Sequence, residues 1–472
     1  MFVQQFFVGG LAHSSYLLGG TENCAIVDPR RDVGIYVEAA RRMGMRITHI
    51  LETHLHADFI SGHLDLARMT GARIYAPKSA RCKFKHVPVA EGTHFGIDDL
   101  RIGVIETPGH TPEHISYVVS DKARGDEPAC VFCGDTLFVG DVGRPDLFPG
   151  KARMLATKLY ASLHEKLMKL PDFCEVLPAH GAGSLCGRAM GAKRTSTIGY
   201  ERRYNAALQI RELATFISSL TNDMPPAPDH FSRCSAINGR GPALVGSLPK
   251  IEALGPTDFR KAMAHKRAVV LDTRDYQAFA GAHVPRSFHI GIGGNFPTFA
   301  GWVLPKDAEI LIVADDLATA EGAQAKLRMV GQDRATAYLD GGIFAWAKEG
   351  FDTSGVRLIT PRDLASMVRR QRGMTLVDVR APVEFKAEHI KGAINIPAPD
   401  LRRAHKRLNP HRPVVVICST GHRSSLAASI LKRRGFGEVI NVAGGMTGYS
   451  AAGLAKECPV CMAPHLPRFM GA

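Results

Sequence analysis

The sequence predicts an α/β protein divided into separate domains, with parallel sheets in the later ones. Three observations predict it. Short apolar runs alternate with helical ones along the chain, the order that βαβ units require. At 472 residues and 45% hydrophobic content, the chain can bury two or three cores. The second half also repeats itself. Val269-Val270-Leu271-Asp272-Thr273-Arg274 returns as Thr375-Leu376-Val377-Asp378-Val379-Arg380. Phe279 and His283 return as Phe385 and His389, and Gly341-Gly342 with Trp346 as Gly444-Gly445 with Tyr449. One duplication at a spacing of about 100 residues makes a pair of domains, not a solenoid.

The expected boundaries follow. Residues 1–222 form the first domain, 223–255 a linker containing Pro and Gly, 256–355 the first repeat, 356–457 the second, and 458–472 a tail. Phe6-Phe7-Val8, Ser15-Tyr16-Leu17-Leu18 and Ala25-Ile26-Val27 read as strands, with Gly19-Gly20 turning between the last two. Residues 33–43 read as an amphipathic helix stopped by Gly44, and residues 197–220 as the helical close of the domain. Met224-Pro225-Pro226-Ala227-Pro228 breaks that pattern. The run after it is expected as an extended linker or a lid over the first domain.

Ten cysteines, several of them single, argue for a reducing cytoplasm rather than a disulfide framework. Cys24 is expected as a small strand residue. Cys130 and Cys133 face opposite sides of one strand, so neither a zinc pair nor a redox pair is expected there. The Cys458/Cys461 pair lacks partner ligands and is expected as two tail thiols. The first ten residues carry no leader pattern, and no run reaches the length of a membrane span.

One loop dominates the first domain: Thr53-His54-Leu55-His56-Ala57-Asp58-Phe59-Ile60-Ser61-Gly62-His63. It follows a strand-like run, where open α/β sheets hold their chemistry. The His-x-His-x-Asp triple points to a metal, and imidazole with carboxylate suits zinc or iron better than calcium or magnesium. Three later loops each add one ligand type beside a Gly or Pro: Pro108-Gly109-His110, Cys133-Gly134-Asp135 and Pro178-Ala179-His180.

In this order the four motifs resemble the metallo-β-lactamase superfamily over about the first 220 residues. That resemblance implies a four-layer αβ/βα sandwich with its metal at one edge. Two-metal hydrolases of the glyoxalase II type carry His-x-His-x-Asp-His; Phe59 stands at the last position and cannot ligate. The set is then more similar to the one-iron persulfide dioxygenases of the ethylmalonic encephalopathy protein type. This implies one Fe(II) per chain on His54, His110 and Asp135, with positions left for O2 and a thiolate. His56, Asp58 and His180 would orient those ligands by hydrogen bonds. Arg144 either holds a substrate's negative charge or forms a surface salt bridge. Cys186 either relays sulfur or is a buried free thiol.

The landmarks of both repeats look like the rhodanese fold. In the second copy a buried run ends in Cys418-Ser419-Thr420-Gly421-His422-Arg423-Ser424, similar to the rhodanese Cys-x-x-Gly-x-Arg loop. A cysteine at a strand-to-helix turn meets backbone N–H groups and the positive helix end, which favours its thiolate and persulfide. Cys418 and Arg423 are the expected catalytic pair, and Gly421 and His422 the expected substrate contacts. The first copy has Ala314-Asp315-Asp316-Leu317-Ala318-Thr319-Ala320 there. Asp315 cannot carry sulfane sulfur, so this copy is expected to be inert, a spacer or docking platform.

The net charge is +14, and from Val356 onward 19 Lys/Arg face 7 Asp/Glu, a balance of +12. No groove-reading motif accompanies this charge, so small anions fit it better than nucleic acid. The chain therefore resembles persulfide dioxygenase–rhodanese fusions. Such an enzyme oxidises a low-molecular-weight persulfide, such as glutathione persulfide, with O2 to sulfite, and moves sulfur among persulfide, sulfite and thiosulfate. No membrane partner is expected; a homo-oligomer stays open. The alternatives are a glyoxalase II-like zinc thioesterase with an accessory rhodanese, and a scaffold delivering persulfide from Cys418.

Overall fold

The computed structural model describes residues 1–454 apart from 189, 223, 225, 371 and 372, so the Cys458/Cys461 pair lies outside the described residues. The chain forms two compact units, Met1–Leu248 with Leu327–Gly331, and Pro249–Lys326 with the chain from Gln332 onward. Among the described residues no helix is long and apolar enough to cross a membrane.

The first unit holds two six-stranded sheets. One runs in order from β1 (Phe2–Val8) through β2 (His13–Gly19), β3 (Asn23–Val27), β4 (Arg46–Leu51) and β5 (Arg73–Pro77) to β6 (Val87–Val89). The other contains β7 (His94–Ile97), β8 (Leu100–Glu106), β9 (Ile115–Asp121) and β10 (Pro128–Gly134). A short ribbon follows, β11 (Leu137–Phe138) with β12 (Asp141–Val142). The second sheet is completed by β13 (Glu175–Pro178) and β14 (Ser196–Thr197), in the order β14-β13-β10-β9-β8-β7.

Alternation along each strand builds the layers. Inward residues such as Tyr16, Leu18, Leu51, Ile102, Tyr117 and Phe132 form one core drawn from both sheets. Outward residues of the first sheet, Leu17, Ile26 and Ile50, pack with Tyr36 and Leu66 from the helices Gly34–Arg42 and His63–Thr70. On the other side Val131 and Val176 pack with Leu159 and Phe216 from the helices Ala152–Ala161 and Leu213–Thr221. The result is the expected helix–sheet–sheet–helix sandwich. Cys130 and Cys133 do fall on opposite faces, in different cores.

The stretch 223–255 differs from the expected extended linker. It contains the helix Phe231–Arg240, part of the first unit, and a strand at Glu252–Leu254 that belongs to the second. Phe231, Cys234 and Asn238 form the helix's buried stripe. Proline-rich flanks hide that helical spacing in the sequence.

The second unit contains two parallel five-stranded sheets of the same strand order. The first is built from β15 (Glu252–Leu254), β16 (Ala268–Asp272), β17 (Phe288–His289), β18 (Glu309–Val313) and β19 (Ala335–Leu339), ordered β15-β19-β18-β16-β17. The second uses β20 (Arg357–Ile359), β21 (Thr375–Asp378), β22 (Ile394–Asn395), β23 (Val414–Ile417) and β24 (Val439–Val442), ordered β20-β24-β23-β21-β22. The repeated Asp-x-Arg landmark is structural. Arg274 donates to Asp272 and to Ala282 O, and Arg380 makes the matching bonds to Asp378 and Glu388 O. This explains why both copies keep it although only one carries the cysteine.

The helix His422–Arg433 is buried continuously from Ser424 to Leu431. Its own sheet covers one side and the first copy covers the other. The His289 N–H donates to Ser429 Oγ at 3.0 Å, and the Arg433 guanidinium lies 4.0 Å from the centre of the Phe288 ring. Small Ala and Ser residues let both neighbours approach. The first copy, expected as a spacer or docking platform, is therefore an outer wall of the helix His422–Arg433. Ser429→Ala orphans a buried N–H, so the second unit should lose about 1–3 kcal/mol, read as a lower urea midpoint. An unchanged midpoint would mean that this contact does not hold the two copies together.

Candidate metal centre and sulfur-transfer loop

His54, His110 and Asp135 come from loops after β4, β8 and β10, and their ligand atoms lie within 4.8 Å of one another. All three side chains are fully buried. His54 Nε2 and His110 Nε2 stand 3.8 and 3.3 Å from Asp135 Oδ2, and none of the three atoms has a hydrogen-bond partner. Orphaned buried polar atoms are costly. Three that converge, two imidazole lone pairs and one carboxylate oxygen, fit a divalent transition metal.

The far side of each ligand is fixed. His54 Nδ1 meets Thr53 Oγ1 at 2.9 Å, and that hydroxyl donates onward to Asp28. His110 Nδ1 donates to the Arg144 carbonyl at 3.0 Å. Asp135 Oδ1 accepts from His180 Nδ1 at 2.7 Å. These bonds set the tautomers that aim each free nitrogen at the centre. Burial holds His54 and His110 below the usual imidazole range, in the neutral form that ligates. Burial disfavours charge on Asp135 too, yet His180 and His110 hold it well below the usual carboxylate range.

Two further groups of buried ligand types flank this set: Asp58–His180–Cys186 and Asp28–Glu52–His56. In the first, both His180 nitrogens are engaged; in the second, the two acids accept hydrogen bonds while both His56 ring nitrogens lack a hydrogen-bond partner. His180 Nε2 meets Asp58 at 2.8 Å, so both its nitrogens are taken by carboxylates. Asp28 accepts from the Thr53 N–H and hydroxyl and has His56 Nε2 3.1 Å away, while Glu52 accepts from Ser61 and is pushed up to about 8 by burial. His56, Asp58 and His180 thus surround the candidate ligands. Phe59 is fully buried, its ring centre 4.1 Å from that of His13 and 4.5 Å from that of His56.

Of the two readings open for each of Arg144 and Cys186, Cys186 is the buried free thiol, and Arg144 makes an ion pair, though a buried one. Arg144 is neither a surface residue nor free for a substrate. It is buried, paired with Asp146 through two bonds of 2.7 Å and bonded to Leu185 O, and its contribution to the centre is its backbone carbonyl. Cys186 is buried in an apolar cluster with Ala57, Phe138 and Phe231, and burial pushes its thiol well up. A protonated thiol is a poor nucleophile for relaying sulfur. Sequence reasoning missed His13, whose two ring nitrogens are buried and unpartnered beside His180; a lone histidine opening a strand carries no signal. It also missed Asn238. Its Nδ2 donates to the carbonyls of His56 and Phe59 at 2.9 and 2.8 Å, and its Oδ1 accepts from the Ser61 N–H. One amide thus clamps the His-x-His-x-Asp loop.

In the second unit Cys418 is 1% exposed, and its sulfur accepts from the Gly421 N–H at 3.1 Å and from Ser424 Oγ at 3.3 Å. Gly421 has φ +106, a conformation L side chains rarely adopt. The Gly444-Gly445 landmark seats the loop: Met446 N–H donates to Cys418 O, and a Cβ at Gly445 would stand 2.2 Å from that oxygen. Arg423 directs both terminal nitrogens to Glu384, at 2.6 and 2.7 Å, and one also to Ser419 Oγ. Its expected charge for substrate is largely engaged there, and it braces the loop. Burial opposes the Glu384 charge, but Arg423 brings that carboxyl down to about 2. In the first copy Asp316 caps the helix Leu317–Met329 through the Thr319 N–H.

Residues 8–180 match the family model of the metallo-beta-lactamase superfamily, and residues 255–349 and 360–452 each match the rhodanese-like domain model. Hydroxyacylglutathione hydrolase of Xylella fastidiosa is 34% identical over 214 residues, 45% of this chain and 76% of that protein. The Methylococcus capsulatus hydroxyacylglutathione hydrolase is 33% identical over 163 residues, and the chain spans only 58% of its length. A crystal structure described as a metallo-beta-lactamase from Staphylococcus aureus subsp. aureus COL is 34% identical, with a TM-score of 0.66, covering 71% of this chain and 98% of that one.

Asn238→Ala frees three buried backbone groups of the ligand loop at once. It should lower both the melting midpoint and the amount of metal retained after dialysis, with an effect on stability of about 2–4 kcal/mol. Full metal retention in this variant would mean that the loop holds its shape without the clamp.

Proposed function

Because the chain belongs to the metallo-β-lactamase superfamily and carries two rhodanese-like domains, we propose that it is an iron-dependent persulfide dioxygenase that also transfers sulfur through Cys418. The observation that carries this reading is Phe59, an apolar ring buried against His13 and His56 at the sixth position of the ligand motif. A two-metal hydrolase needs a ligand there. With Phe59 in place and both His180 nitrogens held by carboxylates, His54, His110 and Asp135 form, among the described residues, the group whose converging atoms all lack a hydrogen-bond partner.

Iron on His54, His110 and Asp135 would supply the redox chemistry between O2 and the terminal sulfur of a persulfide. The overall reaction converts R–S–SH, O2 and water into R–SH, sulfite and two protons. The chain's own groups hold the set in register: Thr53 and the Arg144 carbonyl fix the imidazoles, and His180 fixes the carboxylate. Glutathione persulfide is the proposed substrate, because the relatives act on a glutathione thioester by name.

At Cys418 the thiolate attacks the outer sulfur of a persulfide; a new S–S bond forms, the old one breaks, and the parent thiolate leaves with the electron pair. Sulfite then takes the outer sulfur from Cys418, and thiosulfate departs. Loop N–H groups hold the negative charge. Carrying both sites on one chain raises the concentration of sulfite seen by Cys418. The eight described cysteines are all free, in keeping with the proposed cytoplasmic setting. A zinc thioesterase is the second reading, favoured by the similarity to hydroxyacylglutathione hydrolases.

Protein purified without added zinc should hold about one iron per chain. His110→Ala should remove the iron and the oxygen uptake together. Two zincs per chain with thioester hydrolysis would favour the second reading.

Cys418→Ser should leave oxygen uptake largely intact while the product shifts from thiosulfate to sulfite, both anions being quantified over one time course. Equal thiosulfate from both proteins would mean that it forms in solution.

A further inference from the structure

The first rhodanese-like copy has lost the cysteine loop, yet it places one side chain on the loop of the second. Tyr276 opens the helix Tyr276–Gly281 and is 7% exposed. Its ring meets the His422 ring edge-on, with centroids 5.0 Å apart. A Cβ at Gly421 would stand 2.9 Å from its Cζ and 3.2 Å from its hydroxyl. Gly421 is also the residue whose N–H touches the Cys418 sulfur. The phenol therefore lies against the rim of the sulfur site, and Gly421 must be glycine for two reasons, its φ and this contact.

The fold of the first copy does not ask for a tyrosine there. Counting from the shared Asp-x-Arg landmark, Asp272 to Tyr276 corresponds to Asp378 to Pro382. Proline suits the first position of a helix; a tyrosine gains nothing from that position. Among the described residues the Tyr276 hydroxyl has no hydrogen-bond partner. Arg423 is occupied with Glu384 and Ser419. An anionic sulfur donor arriving at Cys418 thus meets, beside the loop N–H groups, a neutral donor supplied by the other copy. The contact is held in place by the His289–Ser429 bond and the Arg433–Phe288 stack.

We propose that Tyr276 binds the oxyanion end of a thiosulfonate-type donor at Cys418, so that the inert copy completes the sulfur-transfer site. The inference rests on the sulfurtransferase reading. In the step concerned, the Cys418 thiolate attacks the outer sulfur of thiosulfate, a new S–S bond forms as that of thiosulfate breaks, and sulfite leaves with the electron pair. The Tyr276 hydroxyl donates to an oxygen of the sulfonate end, equally in bound thiosulfate and as that group departs.

The test uses the full chain with thiosulfate as donor and cyanide as acceptor, thiocyanate being measured. Tyr276→Phe keeps the ring and its packing, so its melting midpoint should match the wild type. Its KM for thiosulfate should rise about tenfold, with kcat and the KM for cyanide within about twofold, because cyanide has no oxygen to bind. An unchanged thiosulfate KM, or an equal loss with both substrates, would overturn the role of Tyr276 and leave the sulfurtransferase reading standing. If the wild type forms no thiocyanate and thiosulfate adds no sulfur to Cys418 by mass, both fall together.

Discussion

Three buried atoms that face one another without a hydrogen bond, His54 Nε2, His110 Nε2 and Asp135 Oδ2, set the terms for the first unit. A carboxylate oxygen and two imidazole nitrogens left bare in a core each carry a desolvation cost, and a metal ion removes it. Much of the surrounding structure keeps these atoms bare. Thr53, the Arg144 carbonyl and His180 occupy the other side of each ligand. Asn238 and Glu113 hold the backbone of the ligand loop from opposite ends, through Phe59 O and the Leu55 N–H. The arrangement is over-determined, as a site that must not relax around a missing ion has to be.

The second unit seats a cysteine sulfur among fixed donors. The Cys418 sulfur is met by one N–H and one hydroxyl at the start of a helix, a set of fixed dipoles that favours negative charge. Such a loop needs a rigid helix behind it, and the helix His422–Arg433 is rigid because two sheets enclose it. The first copy, which carries Asp315 and Asp316 where the second has its cysteine loop, thus contributes packing to that helix.

How much of this was legible in the sequence depends on whether a residue's partners lie nearby in the chain. The two parallel domains and the Cys418 loop follow from local patterns, duplicated landmarks and a cysteine between a strand and a helix, whereas the sandwich was implied by the family resemblance. The grouping of His54, His110 and Asp135 was implied by the same resemblance, matched motif by motif. The roles of Arg144, Arg423 and Asn238 did not follow from either. Each is decided by a partner brought in by folding: Asp146 takes the Arg144 charge, Glu384 takes that of Arg423, and Asn238 reaches a loop about 180 residues earlier. The helix containing Asn238 was also hidden, since its proline-rich approach reads as a linker.

The central claim is that the first unit uses one metal to oxidise sulfur and does not hydrolyse a thioester. An oxygen electrode with glutathione persulfide, run beside a hydrolysis assay on an acyl-glutathione thioester with the same protein, separates these directly. The account predicts about one O2 consumed for each persulfide lost, as the balanced reaction requires, and no thioester cleavage above the His110→Ala background. Thioester hydrolysis without oxygen uptake would contradict it.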